Sequence, residues 1–226
     1  MGEDQRSPSR PVFYVFPAWT NRLRAVLVVG ALAGIILTCV LVWGGFSPST
    51  LAVGYAPEQP IPYSHRLHVG ELGLDCRYCH NTVETAAKAA LPPVSTCMNC
   101  HNSVKTESEL LEPLRRAAQE GTSVRWVRVH DLPEFVYFNH SVHLTAGVSC
   151  VSCHGRVDRM DVVRQEKPLT MGWCLDCHRD PEAQLRPRER ITDLGWQPSE
   201  DPAVVGAELA KIHGIVPSTD CSTCHR

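Results

Sequence analysis

The fold of this chain is decided by the stretch His140-Ser-Val-His143, which is followed six residues later by Cys150-Val-Ser-Cys153-His154. The second part, Cys-x-x-Cys-His, occurs five times and uses ten of the eleven cysteines in the 226 residues. With 7% aromatic residues, 15 glycines and 17 prolines, the chain is not expected to build a large core from side chains alone. The paired cysteines are Cys76 and Cys79, Cys97 and Cys100, Cys150 and Cys153, Cys174 and Cys177, and Cys221 and Cys224.

These motifs form an internal repeat. The first unit, residues 65–101, and the second unit, residues 140–178, each contain His-x-x-His, then one Cys-x-x-Cys-His motif, then another. The gap between His-x-x-His and the first motif is seven residues in the first unit and six in the second. The gap between the two motifs is sixteen residues in the first unit and nineteen in the second. A half unit closes the chain, with His213 seven residues before the last motif. Duplication of a two-site module accounts for this pattern.

Cys-x-x-Cys-His is the attachment signature of a c-type haem, in which two thiols form thioether bonds and the histidine binds the iron. Zinc sites usually need two such pairs, so five pairs leave one unmatched. Disulfides within this spacing are usually redox-active, and five of them in a row would be unusual. We therefore expect five covalently attached haems. Their proximal iron ligands are predicted to be His80, His101, His154, His178 and His225.

Six further histidines are candidates for the other axial position of each iron. The repeat favours five of them and leaves His130 as the spare residue, while Met160 and Met171 are the methionines that could reach an iron. Irons with two protein ligands have no open position for a substrate, so this pattern favours electron transfer over catalysis. The candidate distal ligands are His65, His68, His130, His140, His143 and His213.

An apolar run of 22 residues, 25–46, predicts one transmembrane helix, because about 33 Å of helix spans the hydrocarbon core. A cleaved signal peptide would have a shorter apolar region. Four arginines in residues 1–24 place that segment in the cytoplasm by the positive-inside rule. Residues 47–64, rich in proline and serine, are predicted to be a tether, and residues 65–226 an exported haem domain on the periplasmic side. The net charge of −2 favours no nucleic-acid partner.

Two helices are expected outside the motifs. A capping-box pattern at 106–109 predicts a helix that extends to Gln119, with Pro113 either interrupting or restarting it. Residues 124–138, rich in β-branched and aromatic side chains, are predicted to be extended. Asp201-Pro202 predicts the start of a helix that ends at His213. The expected fold is mostly loops, with short α-helices around packed haems.

The combination of His-x-x-His with Cys-x-x-Cys-His is similar to small multihaem cytochromes of the c3 and c7 type. The stretches 129–143, 150–158 and 171–179 resemble the pentahaem cytochrome c subunit of alternative complex III, a respiratory quinol oxidoreductase. That resemblance implies a five-haem wire that does not itself bind quinol. It implies an integral membrane subunit that oxidises quinol and an iron–sulfur subunit that passes on electrons. The acceptor would be a soluble cytochrome c, a copper protein or an associated oxidase.

The c3 and c7 resemblance also implies which histidines share an iron. The implied pairs are His65 with His80, His140 with His154, His68 and His143 with His101 and His178 in either order, and His225 with His213 or His130. Two other functions stay open. A NapC/NrfH-type anchored cytochrome would oxidise quinol directly and feed a periplasmic reductase, and a multihaem reductase would need a five-coordinate haem.

Overall fold

The protein divides into two units, residues 1–47 and residues 48–226, in a computed structural model that describes residues 15–46 and 52–225. The first unit contains helix α1, Thr20–Gly45, with a mean hydropathy of 2.9 and no buried residue. Its 26 residues are long and apolar enough to cross a membrane. Most of the predicted cytoplasmic segment, and residues 47–51 of the predicted tether, lie outside the described residues.

The second unit consists of short helices and irregular chain, as expected. Two isolated β-bridges, Val136 with His225 and Val148 with Leu185, occur, but the described residues contain no β-strand. The α-helices are α2 Cys76–Cys79, α3 Val94–His101, α4 Glu112–Glu120, α5 His140–Thr145, α6 Cys150–His154, α7 Met171–Arg179, α8 Pro202–His213 and α9 Cys221–Cys224. A π-helix, Arg66–Glu71, and the 3-10 turns Glu109–Leu111, Val157–Arg159, Glu182–Gln184 and Arg188–Arg190 complete the set.

The two helices predicted outside the motifs are present. Helix α8 begins after Asp201, whose side chain accepts a hydrogen bond from the Ala203 amide, and ends at Gly214 in the left-handed conformation. Helix α4 begins at Glu112, later than the capping-box pattern predicted. Pro113 fits the first turn of a helix, so it starts a regular helix at this point and does not interrupt one. The preceding residues form only a 3-10 turn.

The apolar core of the second unit is small. Nine hydrophobic side chains are buried among the described residues, and Val83, Leu144 and Ile191 form one cluster. Close backbone contacts add to it: Gly206 of α8 lies so near the Glu182 carbonyl that any side chain there would collide with it. So few buried side chains agree with a chain that folds around bound groups.

Candidate functional site

Each Cys-x-x-Cys-His motif forms one turn of helix. In two of the motifs, the residue just before the first cysteine supports that turn. Asp75 and Ser149 accept hydrogen bonds from the amides of Arg77 and Val151, at the starts of α2 and α6. Cysteines three residues apart lie on the same side of a helical turn, so each motif presents two sulfurs together with the histidine close behind them.

Three pairs of histidine rings stand at the separation that a shared metal requires. The ring centroids are 6.4 Å apart for His140 and His154 and 6.3 Å apart for His68 and His101. For His143 with His178 the separation is 6.1 Å. An imidazole nitrogen binds a transition metal at about 2.0 Å, so two rings on opposite sides of one metal have centroids roughly 6 Å apart.

Hydrogen bonds orient these rings. Six histidines have Nδ1 within hydrogen-bond distance of a backbone carbonyl, at 2.7 to 3.1 Å. An Nδ1–H that donates to a carbonyl leaves Nε2 unprotonated and free to bind a metal. The pairs are His68 with Ser64, His80 with Ala90, His101 with Val104, His140 with Ala87, His143 with Asn139 and His178 with Ser218.

An aromatic ring contacts both histidines of each His-x-x-His. Tyr63 meets His65 edge-on at 4.8 Å and stacks on His68 at 4.4 Å. Phe138 does the same in the second unit, with His140 at 4.8 Å and His143 at 4.5 Å. We call each arrangement an aromatic bracket. The brackets hold two distal histidine candidates in a fixed mutual orientation.

His65, the first candidate distal ligand, lies beside His80 of the first motif. Burial, followed by the charges of His80 and His68, lowers the pKa of His65 to about 4. Its buried Nδ1 has no hydrogen-bond partner among the described residues. A neutral imidazole is the form that binds a metal, and the lowered pKa keeps His65 in that form at neutral pH.

His130 lies beside His154 of the third motif. Its Nε2 is 3.3 Å from Nδ1 of His154, and the rings are 4.3 Å apart at 78°. Burial, followed by His130 and His140, lowers the pKa of His154 to about 3. The ring of His225 instead stacks on Phe135 at 5.9 Å. His213 is exposed at the end of α8, and within the described chain it contacts no other histidine ring.

Neighbouring sulfurs give an order to the five motifs. The Cys76 and Cys150 thiols lie close to each other, which brings the first motif beside the third. Burial and then the nearby Cys97 thiol raise the pKa of Cys79, which places the second motif beside the first. Burial and then Cys177 raise the pKa of Cys153 to about 11, which places the fourth motif beside the third.

A further pair of neighbouring thiols places the fifth motif beside the fourth. Burial and then the Cys224 thiol raise the pKa of Cys174. Neighbouring thiols therefore link the second motif to the first, the first to the third, the third to the fourth and the fourth to the fifth. Of the two candidate methionines, Met160 is buried and Met171 is exposed at the start of α7.

The residues present fit a metal held by a macrocycle better than a metal held by protein alone. All eleven cysteines are free, and no group of three or more metal-binding side chains converges within residues 15–46 and 52–225. Two histidines on opposite sides of a central point, with two sulfurs nearby, supply the axial ligands and thioether bonds of haem c. A tetrahedral zinc site would need four converging side chains.

Sequence reasoning missed two parts of this arrangement. The aromatic brackets and the carbonyl partners of Nδ1 were not expected. The brackets had a signal, because Tyr63 and Phe138 each stand two residues before the first histidine of a His-x-x-His. The sequence contains no signal for the carbonyl partners, because every residue has a backbone carbonyl and none is distinguished by its residue type.

Comparison with known proteins agrees with the geometry. The family described as "Cytochrome c7 and related cytochrome c" matches residues 61–121 and 136–226. The chain is also 30% identical over 145 residues to the "Menaquinone reductase, multiheme cytochrome c subunit" of Nitratidesulfovibrio vulgaris strain Hildenborough. That alignment covers 61% of this chain and 67% of the relative. Membership of such a family implies covalently bound haem c.

Proposed function

Because the chain belongs to the family of cytochrome c7 and related cytochromes c, we propose that it is a five-haem electron wire in a membrane quinol oxidoreductase. Each haem iron, when bound, cycles between ferric and ferrous and so carries one electron. The observation that carries the proposal is the set of three histidine pairs with centroids 6.1 to 6.4 Å apart.

The chain's residues have two tasks in this proposal. The ten paired cysteines attach the haems, and His80, His101, His154, His178 and His225 are proximal ligands. Distal ligands are His65 for the first haem, His68 for the second, His140 for the third and His143 for the fourth. His213 serves the fifth by elimination, because His130 lies against a different ring. Two histidines on each iron exclude oxygen, nitrite and peroxide, which makes the domain a relay and not a catalyst.

The order of the motifs predicts where electrons enter and leave. The sulfur neighbours support a path second, first, third, fourth, fifth. The second and fifth positions are its ends. We propose that the electron donor contacts one end and the acceptor the other. The fifth position has an exposed cysteine, Cys221, as expected of a site that meets a partner.

The likeness to a menaquinone reductase subunit supports a membrane partner that handles quinol. We propose the subunits of alternative complex III: an integral membrane quinol-binding subunit and an iron–sulfur subunit, with a soluble cytochrome c or copper protein as acceptor. Helix α1 would anchor the chain in the bilayer, with its N-terminus in the cytoplasm and the haem domain outside.

Purification from native membranes in mild detergent tests this proposal. Haem staining and identification of the co-purifying chains would show a five-haem chain with a polytopic subunit and an iron–sulfur subunit. Isolation with a periplasmic reductase, together with quinol oxidation by the purified chain alone, would instead show a NapC/NrfH-type cytochrome. A high-spin ferric signal in the resting protein would indicate an open iron and a reductase.

A further inference from the structure

We propose that His130 is a positioning residue, whose Nε2 accepts a hydrogen bond from Nδ1–H of His154 and lowers the reduction potential of the third haem. His130 lies within residues 122–135, between the two segments that match the family, and it has no counterpart in the repeat. The inference deepens the proposed function and rests on haem attachment at the third motif.

Geometry separates this role from iron ligation. His140 and His154 already have the separation of two rings that share one metal, with ring planes only 10° apart and centroids at 6.4 Å. The centroid of His130 is 4.3 Å from that of His154 and its ring is turned by 78°, too close for the two rings to stand on opposite sides of one metal. Its Nε2 meets Nδ1 of His154, which leaves Nε2 of His154 available to an iron.

The direction of the hydrogen bond follows from the ligand role of His154. When Nε2 of a neutral histidine binds iron, the proton is on Nδ1, so Nδ1 donates. Nε2 of His130 must then be the acceptor, at 3.3 Å. Three other proximal histidines, His80, His101 and His178, have their Nδ1 on a peptide carbonyl instead.

An imidazole nitrogen is a stronger base than a peptide carbonyl oxygen. It draws the Nδ1 proton further from His154 and makes that ligand more basic toward iron. A more basic axial ligand stabilises the ferric state more than the ferrous state, so it lowers the potential. The third motif is in the middle of the proposed path, where its potential affects every electron that crosses from one unit to the other.

The loop that carries His130 is held in place from both sides. The Gln59 side chain makes two hydrogen bonds to the backbone of Val127, at 3.0 and 2.9 Å. Arg128 forms an ion pair with Asp131 at 2.7 Å across His130. These contacts fix the backbone on each side of the ring, as a positioning role requires.

Redox titration of the full-length protein in detergent, followed by optical and electron paramagnetic resonance spectra, tests the inference with three variants. His130→Phe keeps an aromatic ring without an acceptor. His130→Asn and His130→Gln carry the same amide, but only glutamine can place an oxygen at the position of Nε2. Val129→Ala is the control in the same loop, because it leaves the hydrogen bond in place.

We expect His130→Phe and His130→Asn to raise the midpoint potential of one haem out of five and to shift the g-values of that low-spin ferric signal. His130→Gln should reverse only part of this rise, because its amide oxygen restores a hydrogen bond of peptide-carbonyl strength. Val129→Ala should leave all five potentials unchanged. Five unmoved potentials in His130→Asn would overturn the inference, as would a high-spin signal, since that would make His130 an iron ligand. A haem count below five in the unaltered chain would instead overturn the proposed function.

Discussion

The two repeat units share one histidine pair, His68 with His101 and His143 with His178, but obtain their supporting contacts from different places. In the first unit, the first proximal histidine, His80, donates to the carbonyl of Ala90, which lies in the loop that follows its own motif. In the second unit, the corresponding His154 bonds to His130 from the insert between the units, and His140 donates to Ala87 from the first unit. The corresponding rings thus pair in both units, while the contacts that orient the rings differ between the units.

The second unit is built onto the first. The backbone amides of His140 and Ser141 donate to the carbonyls of Ala87 and Ala86, and the Cys76 thiol lies beside that of Cys150. The half unit is more open to solvent, since His213 and Cys221 are both exposed. The first and third motifs, where the two units meet, therefore form the centre of the domain, and the fifth motif forms its edge.

The largest expected effect comes from removing the cysteines of a central site. Cys150→Ala/Cys153→Ala should abolish accumulation of the protein in membranes, because the side-chain core is too small to hold the domain without the third haem. The matched change at the edge, Cys221→Ala/Cys224→Ala, should yield a stable chain with four haems. Haem staining and intact mass measure both, and equal yields of the two variants would contradict the centre-and-edge comparison.

Removing one distal histidine from each unit tests whether the pairs are equivalent. His68→Ala and His143→Ala should each convert one haem in five to the high-spin ferric state, since each leaves one iron with a single histidine. Electron paramagnetic resonance counts the spins. If either variant stays fully low-spin, that histidine is not an iron ligand and the corresponding unit departs from the repeat.

The half unit gives a weaker test, because no histidine ring among the described residues pairs with His225. His213→Ala should make one haem in five high-spin without loss of protein, as expected of an exposed residue. Resonance Raman spectra of the resting protein report this change. A low-spin fifth haem in this variant would show that its distal ligand comes from elsewhere.

The aromatic brackets should give the smallest effects. Phe138→Leu removes one stacked and one edge-on contact, which costs about 0.5–1.5 kcal/mol and lowers the melting temperature by roughly 2–4 °C per kcal/mol. Tyr63→Phe makes the first bracket chemically identical to the second and should leave both the spectra and the stability unchanged. Thermal unfolding followed by absorbance measures both. A larger loss for Tyr63→Phe than for Phe138→Leu would show that the brackets are not equivalent.

Local pattern was sufficient to predict the repeat, the membrane-length helix and the helix before His213. Each depends on residues close together in the chain, such as the Asp201 cap and Gly214. The family and its haem c were also within reach, because neither zinc binding nor disulfide formation accounts for five identical motifs. The start of α4 was predicted too early because Pro113 fits the first turn of a helix, which favours a start at Glu112 over one at the capping-box pattern.

The neighbours of His130 and the order of the motifs could not be predicted from the sequence. His130 lies outside the repeat, so no spacing linked it to His154, which is 24 residues away. The contact between Cys76 and Cys150 depends on how one unit packs against the other, and that packing leaves no periodic signal. Such contacts are long-range consequences of the whole fold.

In the proposed arrangement, five haems, each between two histidines, follow one another in the order second, first, third, fourth, fifth. A cryo-electron microscopy map of the native membrane complex measures this directly, since each iron can be assigned to its own Cys-x-x-Cys-His motif. We predict a single file of five irons in that order, with His68, His65, His140, His143 and His213 as successive distal ligands. A file in which the first and third motifs are not adjacent would contradict the account.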